Sequence, residues 1–562
     1  MVRPFIAGTT ALKAMLLRPD GTVVAEAETR YATGTVSPPG SPGAMEQDPE
    51  EWLTAFGAAV GDVMRDVPTE AAPAAVALSG QMQDVCLVAR GRSIRRSLLY
   101  SDVRAVDEAE HILACLGPER GGGVRGLSNF KGAAACLSKW LWLKRREPDV
   151  LAATEHILLG AHSYLAYVLT GGEAVVCDPT TASTTGLLAP PTRTAAGEVE
   201  APRWAEDAVR SLNENLDPSL LPSLLRGATP GPVGTVSRVT LESRLRHLPS
   251  VLVGTPVFHG VGDLASTTVG AVGLGPGAAY AYLGTSGWIA TCVPWSKATK
   301  REVGAPGVFR LLHPDADVAI VAASMVTAGG NAEWARGVLL PDGGNGLEDL
   351  DAAAGVAPPG CDGVLYLPHL NGERSPFTDP TARGSFVNLS PRTTRGHLCR
   401  AVLEGVAYNY RALAESLNAE LDATDDEKEK GAGVALPPPL PLVGGGARSR
   451  LWTQTLADVL GRPVKPVPDA ATVAARGTAA GAFRHLGLWG ERDDQGDDEP
   501  PAPAGYFPTS LSNERESDGA DGADNGMVFP DPATRATHDA NYAVFVKLHD
   551  ALVSSGVADL AT

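Results

Sequence analysis

The amino-acid sequence predicts an α/β protein made of two related halves, and three observations carry that expectation. A chain of 562 residues is too long for one compact core, since domains run to roughly 100–200 residues. Strand-like apolar runs alternate with helical patterns along most of its length. An apolar hairpin closed by a turn of glycine and hydroxyl residues occurs twice, at FIAGTTALK (5–13) and within GPGAAYAYLGTSGWIATCVPW (275–295).

The first half opens on three antiparallel strands. They are the run ending at Ala7, a second run through Leu17 after the Gly8-Thr9-Thr10 turn, and VVAEAETRY (23–31) after a PDGT turn. Helical spacing follows in AACLSKWLWLKRREPDVLAA (134–153) and AHSYLAYVLTG (161–171). The second half repeats the hairpin, then offers a strand VLYLPHL (364–370) and a long amphipathic helix RGHLCRAVLEGVAYNYRALAESLNAEL (395–421). A strand in PLPLVGGGA leads into the helical RSRLWTQTLADVLG. The division is expected at 1–256 and 257–562. Two acidic stretches rich in Pro, Gly and Ser, 422–441 and 490–526, cannot bury enough apolar surface to offset chain entropy and are expected to be flexible insertions without a catalytic role.

Composition narrows the function. A formal charge of −18, with no dense basic stripe, repels a phosphate backbone, so no nucleic-acid partner is expected. No apolar run approaches the roughly 20 residues that span a bilayer, and the N-terminus lacks the blocks of a signal peptide, so the expected compartment is the cytoplasm, with no membrane partner. Seven scattered cysteines without a CxxC spacing read as buried free thiols rather than a disulfide framework or a zinc site.

Phosphoryl transfer needs donors around the phosphates, a carboxylate-bound metal and a base beside the accepting hydroxyl. Gly8-Thr9-Thr10 and Gly284-Thr285-Ser286-Gly287 fit the first need, because glycine lets backbone approach an anion and the hydroxyls donate to it; each also reads as a plain hairpin turn. Asp263, after a Gly-rich turn, fits either a helix N-cap or a general base for a sugar hydroxyl. LVGGGARSRLW (442–452) sets glycines between a strand and a helix, either for a ribose or ring to lie against the backbone or as a simple turn. SGQMQD (79–84) and YSDVRA (100–105) are polar groups after apolar runs, with Asp102 and Arg104 reading equally as a solvated ion pair.

Taken in order, these stretches resemble the FGGY family of carbohydrate kinases, most closely its xylulokinase branch. The resemblance rests on GTTALK, MEQDPEEW (45–52), SGQMQD, YSDVRA, SYLAYVLTG (163–171), VGDLA (261–265), LGTSG (283–287), LPHLNGERSPFTDPTARGSF (367–386), AVLEGVAYNY (401–410) and GGGARSRLW. It implies two RNase H-like, actin-like ATPase domains around an interdomain cleft, with the sugar on the N-terminal side and ATP with Mg2+ on the C-terminal side. It implies Asp263 as catalytic base. Gly8, Thr9, Thr10, Lys13, Gly284, Thr285, Ser286 and Gly330 would serve ATP and its phosphates, and Gly445, Gly446 and Ala447 the adenosine. Gln81, Met82, Gln83, Asp102 and Arg104 would line or flank the sugar pocket. No residue is assigned as a metal ligand, and oligomeric state stays open, a homodimer being one expectation.

Three positions depart from the family's pattern. Ile6 stands where members usually have Asp, Gln83 where xylulokinases usually have His, and Leu264 where the base is usually followed by Gln or Asn. An apolar side chain at residue 6 can neither ligate magnesium nor orient its water shell. The sequence therefore supports a sugar kinase acting on a ketopentose or polyol, and beside it a weak or inactive homologue that binds nucleotide or sugar as a regulator. An actin-like or chaperone ATPase would not need the sugar-pocket stretches.

Overall fold

The computed structural model describes residues 1–65, 74–119, 123–190, 200–225, 235–240, 252–273, 277–295, 307–314, 318–341, 344, 346–377, 379, 382–422, 436, 438–467, 472–489 and 526–554. The insertion at 490–526 thus lies outside the described residues except for Gly526, as does most of 422–441, whose Leu440 and Pro441 belong to a buried strand.

Two six-stranded sheets form the frame. The first contains β1 (Val2–Ala7), β2 (Ala11–Leu17), β3 (Val23–Arg30), β4 (Ala75–Gly80), β5 (Thr235–Arg238) and β6 (Pro256–Gly262), in the order β5-β6-β4-β1-β2-β3. The second contains β7 (Ala279–Leu283), β8 (Gly287–Pro294), β9 (Val308–Leu312), β10 (Val318–Met325), β11 (Leu440–Val443) and β12 (Val464–Pro466), in the order β9-β10-β8-β7-β11-β12. Each begins with an antiparallel hairpin whose first strand also pairs in parallel with a later one, which pairs in parallel with a third: β1 with β4 and β4 with β6, then β7 with β11 and β11 with β12. The duplicated hairpin is therefore the start of a duplicated fold, as the sequence predicts.

The helices that matter to the site are α1 (Pro49–Met64), α2 (Ala161–Leu169), α3 (Asp263–Val272), α4 (Gly329–Leu339), α5 (Arg395–Asp422), α6 (Arg450–Leu460) and α7 (Val473–His485). Side chains alternate across a strand, so β1 places Phe5 and Ala7 in a cluster with Trp52 and Phe56 of α1 and Tyr164 and Leu165 of α2. Val2 and Ile6, on the opposite face, join Val269 of α3 and Ala475, Ala479 and Phe483 of α7. Leu264, Ala265 and Ala271 of α3 pack instead with Tyr280, Trp288 and Ile320 of the second sheet. Beyond that sheet lies α5, whose Val402, Val406 and Leu413 share a cluster with Leu283, Ile289 and Val321. Helices α3 and α7 thus form a shared middle layer between the two sheets.

Some elements differ from the sequence reading. The helix expected over 134–153 is two helices, Cys136–Arg146 and Pro148–Ala152, because Pro148 lacks the N–H that would continue the first and opens the second instead. The strand expected over 364–370 is confined to Leu365–Leu367. Cys115 is exposed, whereas the other six cysteines are buried free thiols as expected.

The middle layer depends on glycine. A Cβ on Gly270 of α3 would lie 1.8 Å from the Val473 carbonyl oxygen, and one on Gly477 of α7 would lie 1.9 Å from that of Ser266. Gly477→Ala is therefore expected to lower stability by ~1–3 kcal/mol through overpacking, read as a fall in the urea midpoint. Gly337→Ala, on α4 with nothing within 4 Å of the added carbon, is expected to raise stability slightly, since alanine is the better helix former.

Candidate active site

Parallel pairing brings the candidate residues to one edge of each sheet. Ala7 lies opposite Gly80, and Gly80 opposite Gly262, so β1, β4 and β6 end side by side and release the chain into the Gly8–Thr10 turn, Gln81 and Asp263 respectively. On the second sheet Tyr282 lies opposite Val443, which places the Gly284–Ser286 turn next to Gly444–Ala447.

The two turns are held by backbone. In the first, the Gly8 N–H donates to the Ala11 carbonyl at 3.1 Å, and the Tyr31 hydroxyl to the Gly8 carbonyl at 3.0 Å. The Gln47 side-chain amide donates to the Thr9 carbonyl and to the Thr35 hydroxyl, while its carbonyl accepts from Trp52 Nε1 and Gln81 Nε2. In the second, the N–H groups of Ala328, Gly329 and Gly330 donate to the carbonyls of Thr285, Gly284 and Thr285 at 2.8, 2.7 and 3.1 Å, so α4 begins against the turn. Gly330 thus acts in the structure by holding the turn. Gly444 and Gly446 are demanded by close approach, since a Cβ on either would lie 2.4 Å from Leu283 atoms; Gly445 is exposed, with nothing within 4 Å of the corresponding point. Helix α6 follows, capped by Ser449, whose oxygen accepts from the Trp452 N–H at 2.9 Å.

Asp263 is the first residue of α3, and Gly262 is its N-cap. The carboxylate is therefore not consumed as a cap; it accepts one hydrogen bond, from the adjacent Leu264 N–H at 2.8 Å. Burial pushes the carboxyl up to about 6, against the opposing pull of that N–H and of His162. Met82 packs against Gly262, where a Cβ would lie 2.0 Å from its sulfur. Behind them His162 Nε2 meets Asp178 Oδ2 at 2.9 Å and the Ser163 hydroxyl meets His259 Nε2 at 2.9 Å, a fully buried polar cluster. Burial holds His259 down to about 4, so this imidazole is neutral.

Four residues at this edge escaped the sequence reading. Asp84, fully buried, accepts from the Tyr100 N–H at 3.1 Å. The Tyr100 hydroxyl lies 3.5 Å from Thr9 Oγ1, and the Arg374 guanidinium stands 5.8 Å from the Tyr100 ring centre, reaching across from the second half. Glu373 anchors that loop by accepting from the N–H groups of Val326 and Arg374 and the Asn409 amide. Lys139, also fully buried, donates to the Gln83 and Leu99 carbonyls at 3.2 and 2.6 Å. Asp84, Tyr100 and Arg374 all sit within quoted motif stretches, which was the available signal.

The other candidates are placed as follows. Gln81 is buried with its Oε1 lacking a partner. Gln83 adopts a left-handed backbone, φ 64°, and its amide donates to the Thr184 carbonyl. Asp102 and Arg104 do form an ion pair, but a buried one: Arg104 also binds Glu46 at 2.8 Å, and Asp102 accepts from the Met45 N–H at 2.8 Å. The solvated pair of the sequence reading is thus corrected, because Glu46, Arg95 and Glu147 extend it into an enclosed network. Lys13 points to Glu28 at 3.6 Å, and Ile6 opposite it in the register is an apolar packing residue. Leu264 is buried against the second sheet.

A repeated antiparallel sheet with parallel additions, carrying a glycine-hydroxyl turn at the matching edge of each copy, defines a protein of the two-domain actin-like ATPase fold. The chain belongs to the FGGY family of carbohydrate kinases: that family's N-terminal domain matches residues 5–270 and its C-terminal domain residues 279–486. It is 32% identical over 459 residues, 78% of this chain and 79% of the other, to the xylulose kinase of Streptomyces coelicolor. Among solved structures it resembles a ligand-bound xylulose kinase from Lactobacillus acidophilus (TM-score 0.72, 23% identity, 99% of each chain). A gluconate kinase from the same organism is as similar in fold (TM-score 0.71, 23% identity, 99% of this chain and 98% of that one). No helix among the described residues is long and apolar enough to cross a membrane.

An ionised Asp263 is costly to the fold because burial opposes its charge. A carboxyl raised from its ordinary value leaves stability intact at low pH and removes it as pH rises through about 6. Asp263→Asn carries no such cost, so its stability advantage over the unaltered chain is expected to be near zero at pH 4 and to reach ~1–3 kcal/mol at pH 7, read as paired thermal melts across that range.

Proposed function

We propose that this chain is an ATP-dependent carbohydrate kinase that phosphorylates a hydroxyl of a ketopentose such as xylulose, or of a related sugar or polyol. The observation that carries the reading is Asp263: a carboxylate with a single hydrogen bond at the sheet edge that also presents the Gly8–Thr10 turn, while the Gly284–Ser286 turn stands at the matching edge of the second sheet. Its carboxyl at about 6 is poised for a base that is free at neutral pH and able to take a proton.

In this reading the sugar lies toward the first half. The unpartnered Oε1 of Gln81 offers an acceptor to a hydroxyl, Met82 an apolar wall beside the base, and Gln83, Asp102 and Arg104 shape the pocket through the carbonyls, N–H groups and ion pairs they hold. Asp263 takes the proton of the attacking hydroxyl. Thr9, Thr10, Thr285 and Ser286 donate to phosphate oxygens, with Gly8, Gly284 and Gly330 keeping the backbone close, and Arg374 contributes positive charge from the opposite wall. Lys13 stays at the flank, tied to Glu28. The open side of Gly445, with Gly446 and Ala447 following it, receives the adenosine. The division at 1–256 and 257–562 corresponds to sugar and ATP sides, although β6 belongs to the first sheet and α7 returns to cover it.

Mg2+ would accompany ATP, neutralising charge on the phosphates. The residues present fit a hard cation, which takes oxygen ligands: the donors at this edge are the Asp263 carboxylate, the Thr9 hydroxyl and the Oδ2 of Asp84, which has no hydrogen-bond partner. The relatives named xylulose kinase favour a ketopentose. A second reading, a weak or inactive homologue that binds nucleotide or sugar as a regulator, is favoured by Ile6 alone.

A coupled assay for ADP release over a panel of ketoses, aldonates and polyols decides between them. The expected result is turnover with a ketopentose, lost by several powers of ten in Asp263→Ala. No sugar raising turnover above the Asp263→Ala level, with ATP still bound, would establish the regulatory reading. Separately, Gly445→Ala is expected to leave the melting temperature unchanged, since its Cβ meets nothing in the protein, and to weaken ADP binding at least tenfold by calorimetry.

A further inference from the structure

We propose that Asp84 supplies the metal-binding carboxylate that position 6 lacks, so that a divalent cation is held between the Asp84 and Asp263 carboxylates beside the Gly8–Thr10 turn. This rests on the kinase reading for its purpose, but the site is argued from the chain's own geometry.

Asp84 lies on the strand Met82–Ala89, whose start packs on Gly262, the residue before Asp263. That strand is bulged. Gly160 pairs with Met82 whereas Leu158 pairs with Cys86, so the strand carries two extra residues between those points. Gln83 absorbs the bulge with φ 64°, a conformation most side chains avoid. A bulge beside a site re-aims a side chain, and here the re-aimed side chain is Asp84.

Its surroundings fix the direction. Oδ1 accepts from the Tyr100 N–H, and the hydroxyl of the same tyrosine reaches Thr9 in the phosphate turn. Oδ2 is fully buried and has no partner. A buried carboxylate oxygen left without a donor is costly. A divalent cation would supply the missing partner, and oxygen-only donors select a hard one such as Mg2+ or Mn2+. Position 6 offers nothing comparable, for Ile6 packs with Ala77, Phe258 and Ala479.

The rival account is that Asp84 merely balances Lys139. The Lys139 ammonium, however, is taken up by the Gln83 and Leu99 carbonyls and forms no ion pair with Asp84.

The test is Mn2+ titration of the full chain, followed by electron paramagnetic resonance without sugar or nucleotide. The unaltered protein is expected to bind one Mn2+ that Mg2+ displaces, and Asp84→Asn and Asp263→Asn each to weaken it at least tenfold. Equal Mn2+ affinity in the unaltered chain and Asp84→Asn, or no Mn2+ held by the unaltered chain, overturns the proposal. A folding defect in Asp84→Asn is guarded against by a second measurement on the unaltered chain: Tb3+ is expected to show emission sensitised by the neighbouring tyrosines and displaced by Mg2+, and absence of that emission also overturns it. Because neither readout involves turnover, a failed sugar panel and a failed metal site are separate outcomes.

Discussion

The arrangement depends on parallel strand pairing next to a hairpin. When β1 runs parallel to β4, and β4 to β6, their ends align, so anything that follows these strands in sequence must emerge at one edge. That single constraint gathers the Gly8–Thr10 turn, Gln81 and Asp263 from positions far apart in the chain. The second sheet obeys it too, setting the Gly284–Ser286 turn beside the glycines after β11. Backbone hydrogen bonding thus assembles the site, and side chains tune it.

The middle layer links the two edges. Helix α3 carries Asp263 at its first turn, buries Val269 against the first sheet, and buries Leu264, Ala265 and Ala271 against the second. It can sit there only because Gly270 and Gly477 let α7 approach to backbone distance. The carboxylate therefore sits on a helix packed against both sheets.

Much of this was legible in the sequence because it is local. The hairpins, the long helix α5 and the strand–glycine–helix run at β11 follow from apolar period and turn residues, which are read within a window of a dozen residues. Asp263 was visible for the same reason, a carboxylate after a glycine turn at a helix start. Asp84, Tyr100, Lys139 and Arg374 were not, because their role depends on what lies across from them. Asp84 is aimed by a bulge that only the pairing with His156–Gly160 defines, and Arg374 is useful only where it meets Tyr100 from the other half. Asp102 and Arg104 went astray in the opposite sense, as an i, i+2 pair that looks exposed until Glu46 and Arg95 close over it.

The cover of the first sheet comes from the far end of the chain. Val2, Ile6, Met15, Leu17, Ala75 and Ala77 are made early in synthesis, yet the residues that shield them, Ala475 to Phe483 and Trp489, whose indole binds the Pro19 carbonyl at 2.8 Å, emerge only after both sheets have been translated. During synthesis the first half must wait with one apolar face uncovered, the kind of surface on which nascent chains aggregate or recruit chaperones. The protein's vulnerability to misassembly is thus set by the order in which its pieces leave the ribosome.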